Sequence, residues 1–307
     1  MLPSTTINPG LLYGYIPSEG VCATFVALFG LSTLIHIGEA IYFKLWWILP
    51  TIVLGGVGEV IGWAGRLWSS KTYLGNGRDP YLIQISTTII SPTPIVAANF
   101  VILGILIRHL GTHYSRLNPL WYTIVFCTAD IVALIVQAIG GGSASKAVQS
   151  DDANPEVGGH IMLAGIVIQL VAITIYVSLA FEFIYRYYTK KPVRPKSESA
   201  VEGPLDKKIE LMIFGLCLST ICIFIRAVYR TIELSDGWSG RIIRTEVYFN
   251  VLDGAMIVIA MYTINFFHPG ILLGHINPGH RKNRKLVDES KDASDVEVSG
   301  KANQSVV

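Results

Sequence analysis

Seven windows of this chain, near residues 20–41, 45–65, 82–107, 119–141, 160–185, 209–231 and 247–267, are long apolar runs with few charges. About twenty such residues in a helix cross the roughly 30 Å of hydrocarbon in a bilayer. Water-free surroundings also demand that a spanning segment satisfy its own backbone, which a helix does. The expectation is an all-α, seven-transmembrane-helix integral membrane protein. Composition agrees: only 15% of the 307 residues are charged and 51% are apolar, against about 25% charged in an average soluble domain. Mean hydropathy is +0.49. Residues 1–17 carry no basic stretch and no cleavage site of small residues before the first window, which therefore reads as a retained span. Three parts follow: an extracellular amino-terminal segment over 1–16, the seven-helix domain over 17–272, and a disordered cytosolic tail over 273–307.

Orientation comes from the cations in the short connections. With the amino terminus outside, fourteen fall on inner segments: Lys44, Arg108, Arg116, seven between Arg186 and Lys208, and Arg281, Lys282, Arg284 and Lys285. Six fall outside: Arg66, Lys71, Arg78, Lys146, Arg241 and Arg244. The bias predicts an outer amino terminus and a cytosolic carboxy terminus. The fifth-to-sixth connection and the last thirty residues mix Pro, Ser and charge and are expected to be mobile. The basic run His280 to Lys285 reads as a topology anchor that could rest on anionic headgroups, and the sequon at Asn303, being cytosolic, should stay unmodified.

Several function classes drop out. A net charge of +2 supplies no basic field for nucleic acid. Cys22, Cys127, Cys217 and Cys222 all lie in apolar runs, so neither a disulfide framework nor a zinc pair is encoded. No phosphate-binding GxxxxGK[ST] loop is present, and no internal repeat of the kind found in alternating-access transporters. A three-histidine zinc hydrolase is disfavoured as well, because His36 and His268 belong near the inner face while His160 opens the fifth span outside. The chain reads as a non-enzyme without a metal site.

Ionisable residues inside spans are costly and face partners or cavities. Here they recur at a spacing of seven, close to two helical turns and hence on one helix face: Glu59 and Arg66, Asp130 and Gln137, Arg226 and Glu233, Glu246 and Asp253. Arg226, Arg230 and Glu233 form one stripe able to pair within its helix. At 1.5 Å per residue these groups converge on the outer half of the membrane. Asp130, Arg226 and Arg230 are too deep to stay charged alone and are expected to share a network. Five carboxylates (Glu59, Asp130, Glu233, Glu246, Asp253) face three guanidinia (Arg66, Arg226, Arg230), an excess of two negative charges. Such an excess is relieved by protonation or by a cationic ligand, so the pocket favours an amine over a phosphate.

Backbone irregularities suggest a cavity. Pro92 and Pro94 interrupt the third span and remove two helical hydrogen bonds. Gly140 to Gly142 is expected to end the fourth span, and the glycines around Glu59 suit close helix approach.

Taken in order, Glu59-x2-Gly62-x3-Arg66, a proline-containing third span followed by Ala97-Ala98, Asp130-x6-Gln137 with Gly140 to Gly142, Gly165-x3-Gln169, Arg226-x3-Arg230-x2-Glu233, and Glu246-x6-Asp253 with a closing His268-Pro269-Gly270 resemble one family. It is the fungal lipid-translocating exporter family, Rta-like seven-span proteins named for aminocholesterol and sphingoid long-chain-base resistance. The resemblance spans residues 13–272. It implies a fungal plasma-membrane or endomembrane protein, with members linked to sphingoid-base release, sterol-analogue resistance and haem or protoporphyrin handling.

Three readings stay open. The first is a translocator or binder of an amphipathic lipid-like molecule, whose cationic head meets Glu59, Asp130 and Asp253, with Arg226 and Arg230 holding those carboxylates ionised. Arg66, Gln137, Gln169, Glu233 and Glu246 complete that candidate ligand site. A lipid sensor without transport is the second. The third is a haem or porphyrin binder with His160 as the available outer ligand; otherwise no cofactor is expected. Substrate, direction, energy source and oligomeric state are not encoded legibly.

Overall fold

A computed structural model describes residues 13, 15–72, 78–147, 155–195, 203–237 and 240–274. Seven segments are long and apolar enough to cross a membrane: Glu19–Phe43, Trp46–Lys71, Asp79–Leu110, Pro119–Ala144, Glu156–Thr189, Lys207–Ser235 and Glu246–Leu272. The chain is an all-helical integral membrane protein, and no strand occurs among the described residues. Odd-numbered spans run from an amino-terminal face, where residues 15–18 lie, toward a carboxy-terminal face at His268. The extreme amino terminus, the tail with its basic run, and the sequon at Asn303 fall outside the described residues.

Each turn has a local cause. The first span stops where Lys44 adopts a left-handed conformation (φ 55°) and Leu45 donates back to the Ala40 carbonyl, the usual way of closing a helix end. The sixth begins with the Asp206 carboxylate accepting from the Ile209 amide at 2.9 Å, which satisfies one orphan donor of the first turn. The flanks of the fifth-to-sixth connection, expected to be mobile, are instead tied down: Val193 donates to the His113 carbonyl at 2.8 Å and Gly203 to that of His109 at 2.8 Å.

Small residues set the spacing between helices. Gly55, Gly58, Gly62 and Gly65 place the second span directly against the third, where any added methyl would collide with Ser91, Thr87, Thr88 or the Pro80 carbonyl. The fourth and fifth spans pack closely through Gly140 and Gly158. Gly140 to Gly142 therefore does not end the fourth helix, which continues to Ala147; helix packing pressed on Gly140 outweighs the intrinsic cost of glycine in a helix.

Two spans depart from α-helical winding. Residues Leu49–Val53 of the second and Asn250–Ala255 of the seventh are wound as π-helix. Such a bulge rotates the residues beyond it and recurs at functional sites. The one in the seventh span carries Asp253.

Candidate functional site

The proline break organises the centre. A helical residue at position 92 would donate its amide to the Thr88 carbonyl four residues back, but proline has no N–H. That freed carbonyl accepts from Arg226 Nη2 at 2.6 Å. Ser91 relieves the same turn, its hydroxyl donating to the Thr87 carbonyl. Arg226 Nε also lies 3.0 Å from Asp253 Oδ1. Arg230, one turn on, grips Asp253 with both arms of its fork, Nε to Oδ1 at 2.7 Å and Nη2 to Oδ2 at 3.1 Å. It also donates to Glu233 Oε2 at 2.8 Å and to the Thr88 hydroxyl at 3.1 Å. Tyr229 donates to the other Glu233 oxygen at 2.8 Å. Six charged or hydroxyl-bearing residues from three spans thus form one buried, largely satisfied network, with Asp253 1% exposed.

Toward the amino-terminal face lies Arg66, 1% exposed, in a box of aromatic rings. Its guanidinium carbon stands 4.5 Å from the Phe249 ring centre, 5.0 Å from Tyr13, 5.5 Å from Tyr15 and 5.7 Å from Trp63. Arg230 approaches Phe249 as well, at 5.0 Å, so one ring serves both cations. Arg66 donates to the Tyr15 hydroxyl and lies 4.0 Å from Glu246. Glu246 in turn accepts from the Ser18 amide at 2.8 Å and the Ser18 hydroxyl at 2.9 Å, strapping the amino-terminal segment to the seventh span. Burial pushes the Tyr13 hydroxyl up to about 12, with the nearby Arg66 charge opposing.

Two carboxylates are left over, matching the excess counted from the sequence. Neither oxygen of Glu59, which is 1% exposed, has a hydrogen-bond partner among the described residues. Glu59 nevertheless lies in the field of Asp253, Arg226 and Arg230, at the edge of the network. Asp130 stands apart. It does not join the arginines, contrary to the expectation of a shared network. It is 5% exposed, with Oδ2 unpartnered, and it faces a cavity of about 40 Å³ between the third, fourth, fifth and sixth spans. Pro92, Val96, Phe100, Ile173 and Ile223 give that cavity apolar walls, and Thr93, Gln169 and Arg226 supply the polar atoms. Gln169 donates to Thr93 at 3.1 Å and accepts from Gln137 at 2.8 Å, a relay across three spans. Gln137 Oε1 remains buried and free.

A model of the family described as RTA1 like protein matches residues 52–276. The chain belongs to this family. The sphingoid long-chain base transporter RSB1 of Saccharomyces cerevisiae is 29% identical, over 94% of this chain and 84% of its own. Protoporphyrin uptake protein 1 of the same yeast is 25% identical, over 86% of this chain and 95% of its own. Yeast Protein RTA1 is 29% identical, over 70% of this chain and 66% of its own. None of these names is that of an enzyme. No solved structure matches the chain.

In this RTA1-like protein the structure brings together Glu59, Arg226, Arg230, Glu233 and Asp253, sets Arg66 and Glu246 one tier toward the amino-terminal face, and leaves Asp130, Gln137 and Gln169 around a separate cavity. His160 is exposed and borders neither the Asp130 cavity nor the one beneath Tyr13 and Arg66. Sequence reasoning missed the Thr88 carbonyl, whose signal is Pro92 four residues later, and Phe249, Tyr13 and Tyr15, which carry no charge to mark them. It also passed over Glu39, the one carboxylate in the middle of the first window's carboxy-terminal turns, 3.3 Å from His36 Nδ1.

Proposed function

We propose that this RTA1-like protein translocates an amphipathic amino alcohol of the sphingoid-base type, and that Asp130 receives its ammonium group. The observation carrying this reading is a buried carboxylate, one oxygen of it unpartnered, on a residue that lines a cavity among four spans. An ionised carboxylate there is costly until a cation or a proton meets it. A cavity of about 40 Å³ exceeds the 10 to 15 Å³ one water needs and takes a primary ammonium with an adjoining hydroxyl. Asp130 suits the amine, Gln169 and Thr93 suit hydroxyls, and Val96, Phe100 and Ile173 guide the start of an alkyl chain toward the lipid. The name of the 29% identical relative RSB1 supports the same substrate class.

Asp253 is not the amine receptor in this reading, because Arg226 and Arg230 already occupy it. Those arginines hold the third, sixth and seventh spans together, so that the cavity keeps its shape. The amino terminus lies outside and the tail in the cytosol, as the cation bias indicates, with the plasma membrane the expected location. Ser4→Cys should label from outside intact cells and Ser299→Cys only after permeabilisation; the opposite pattern overturns the orientation.

The deciding experiment compares a sphingoid base with its N-acetylated analogue on purified protein in nanodiscs, and then measures net flux in vesicles. Binding of the free amine should fall at least tenfold in Asp130→Asn, which removes a charge-assisted contact, while the acetylated analogue should bind poorly to both proteins. Equal binding of the two ligands overturns the amine reading. Binding without net flux leaves a sensor.

A further inference from the structure

Far from Asp130, near the carboxy-terminal face, the first and seventh spans share a second buried polar cluster that the translocation reading does not use. The first span contributes His36 and Glu39. The seventh contributes Asn265, the Met261 carbonyl and His268, the histidine of the His-Pro-Gly motif. His36 and His268 are fully buried, and Glu39 is 18% exposed. The sixth span packs against this corner through Gly215 beside Phe267 and adds no ionisable side chain to the cluster among the described residues. Phe43 covers His268, ring centres 5.0 Å apart. The charges acting on His268 are those of Glu39 and His36.

Hydrogen-bond accounting fixes where protons sit. His36 Nε2 is 3.2 Å from the Met261 carbonyl oxygen; a carbonyl only accepts, so Nε2 carries a hydrogen. His268 Nδ1 accepts from the Gly270 amide at 3.1 Å, so its hydrogen is on Nε2, which lies 3.7 Å from Glu39 Oε2, beyond hydrogen-bond reach. The same Oε2 accepts from Asn265 Nδ2 at 3.2 Å, and Ser32 donates to Asn265 Oδ1 at 2.6 Å, which fixes the orientation of that amide. This leaves His36 Nδ1 3.3 Å from Glu39 Oε2, off the line of a hydrogen bond. With His36 neutral and Glu39 ionised, a bare ring nitrogen lies beside a carboxylate oxygen in a largely buried site. One further proton on His36 turns that contact into an ion pair.

We propose that His36, Glu39 and His268 form a proton-binding site, holding one exchangeable proton on His36 beside Glu39, and that the charge strengthens the His36 hydrogen bond to the Met261 carbonyl that joins the first span to the seventh. The partial exposure of Glu39 gives the proton a way out to water. Its loss removes the charge from the His36 donor, weakens the bond to Met261 and loosens the first span from the helix that also carries Asp253. Asp253 precedes His268 by fifteen residues on the seventh span, about 22 Å along the axis at 1.5 Å per residue, so a shift of that helix on deprotonation reaches the arginine network. The site stands independently of any ligand at Asp130.

The test uses the full-length protein in lipid nanodiscs without any ligand. Nitrogen-15 spectra of the histidines and infrared difference spectra of the carboxyl band are followed as pH is raised. The expected result is a single step in which His36 Nδ1 and the Glu39 carboxyl change together, absent in both Glu39→Gln and His36→Gln, with His268 keeping its proton on Nε2 throughout. The proposal is overturned if Glu39 and His36 titrate as separate steps, or if His36 Nδ1 is bare and Glu39 ionised over the whole range. Should either variant fail to fold, the wild-type His36 nitrogen shifts alone decide. Failure of ligand binding at Asp130 would leave these spectra unchanged, so the two proposals fall separately.

Discussion

Arg230 and Asp130 are alike in sequence, each a charged residue deep in an apolar window, and opposite in structure. Arg230 has five interactions: two to Asp253, one to Glu233, one to Thr88 and a ring contact with Phe249. Asp130 Oδ2 has none among the described residues, and the residue lines a cavity. A buried charge whose geometry is saturated serves the fold, since nothing is left for a ligand to gain. One left without a partner is costly to the fold and available to a ligand. The contrast separates scaffold from site within a single set of intramembrane charges.

The largest effect should come from breaking the saturated side. Arg230→Ala orphans Asp253 and Glu233 in a buried setting, and loss of one partner of a buried pair costs about 3–5 kcal/mol. Thermal unfolding in detergent should show it as a marked loss of stability. A loss below about 1 kcal/mol would mean that the network is loosely held and that the contrast with Asp130 is one of position only.

Next in size is the coupling between Arg226 and the proline break. Pro92→Ala restores an amide that competes for the Thr88 carbonyl, so Arg226 loses a charge-assisted acceptor worth about 1.5–3 kcal/mol. The cost of Arg226→Ala should therefore shrink by about that amount in the Pro92→Ala background. An unchanged cost would show that Arg226 depends on Asp253 alone and that the break serves only to bend the helix.

How much of this was legible depends on the kind of interaction. The seven spans follow from hydropathy, and the charge excess of two was countable because intramembrane charges are rare enough to list. The pairing was not countable. It depends on the π-helical winding of residues 250–255, which turns Asp253 toward the sixth span, and on a backbone carbonyl that carries no letter of its own. Glycines misled at Gly140, where a propensity argument ends a helix that close packing continues. The site over His36, Glu39 and His268 was hidden for another reason: its members come from the two ends of the chain, and only the fold brings residues 39 and 268 to the same corner.

A smaller effect is expected at the amino-terminal face. Tyr13 is buried against Arg66 and Tyr81, and its hydroxyl is raised from the ordinary 10 to about 12, chiefly by burial. Between those pH values the detached segment loses the proton while the docked one keeps it, so docking weakens as pH rises, by about 1.4 kcal/mol per unit at most. Below pH 10 the contribution is constant. Protease access to residues 13–18, followed against pH, should show the loss in the wild type, and Tyr13→Phe should flatten it. A flat wild-type profile would mean that the segment is not held by this contact.

The smallest expected effect is a null, and it tests the contrast most sharply. Asp130 Oδ2 has no partner among the described residues, although Arg226 borders the same cavity. Asp130→Asn should then leave thermal stability in detergent nearly unchanged or slightly raised, because removing an unpartnered buried carboxylate removes a cost. Combined with Arg226→Ala, the two changes should add to within about 0.3–0.5 kcal/mol, the margin for independent sites. Arg226→Ala with Asp253→Ala should instead lose clearly less than the sum, because those two residues share an ion pair at 3.0 Å. A coupling above about 1 kcal/mol between Asp130 and Arg226 would place Asp130 inside the scaffold. The carboxylate facing the cavity would then be a structural partner, and an amine ligand would have to displace Arg226 from it in order to bind.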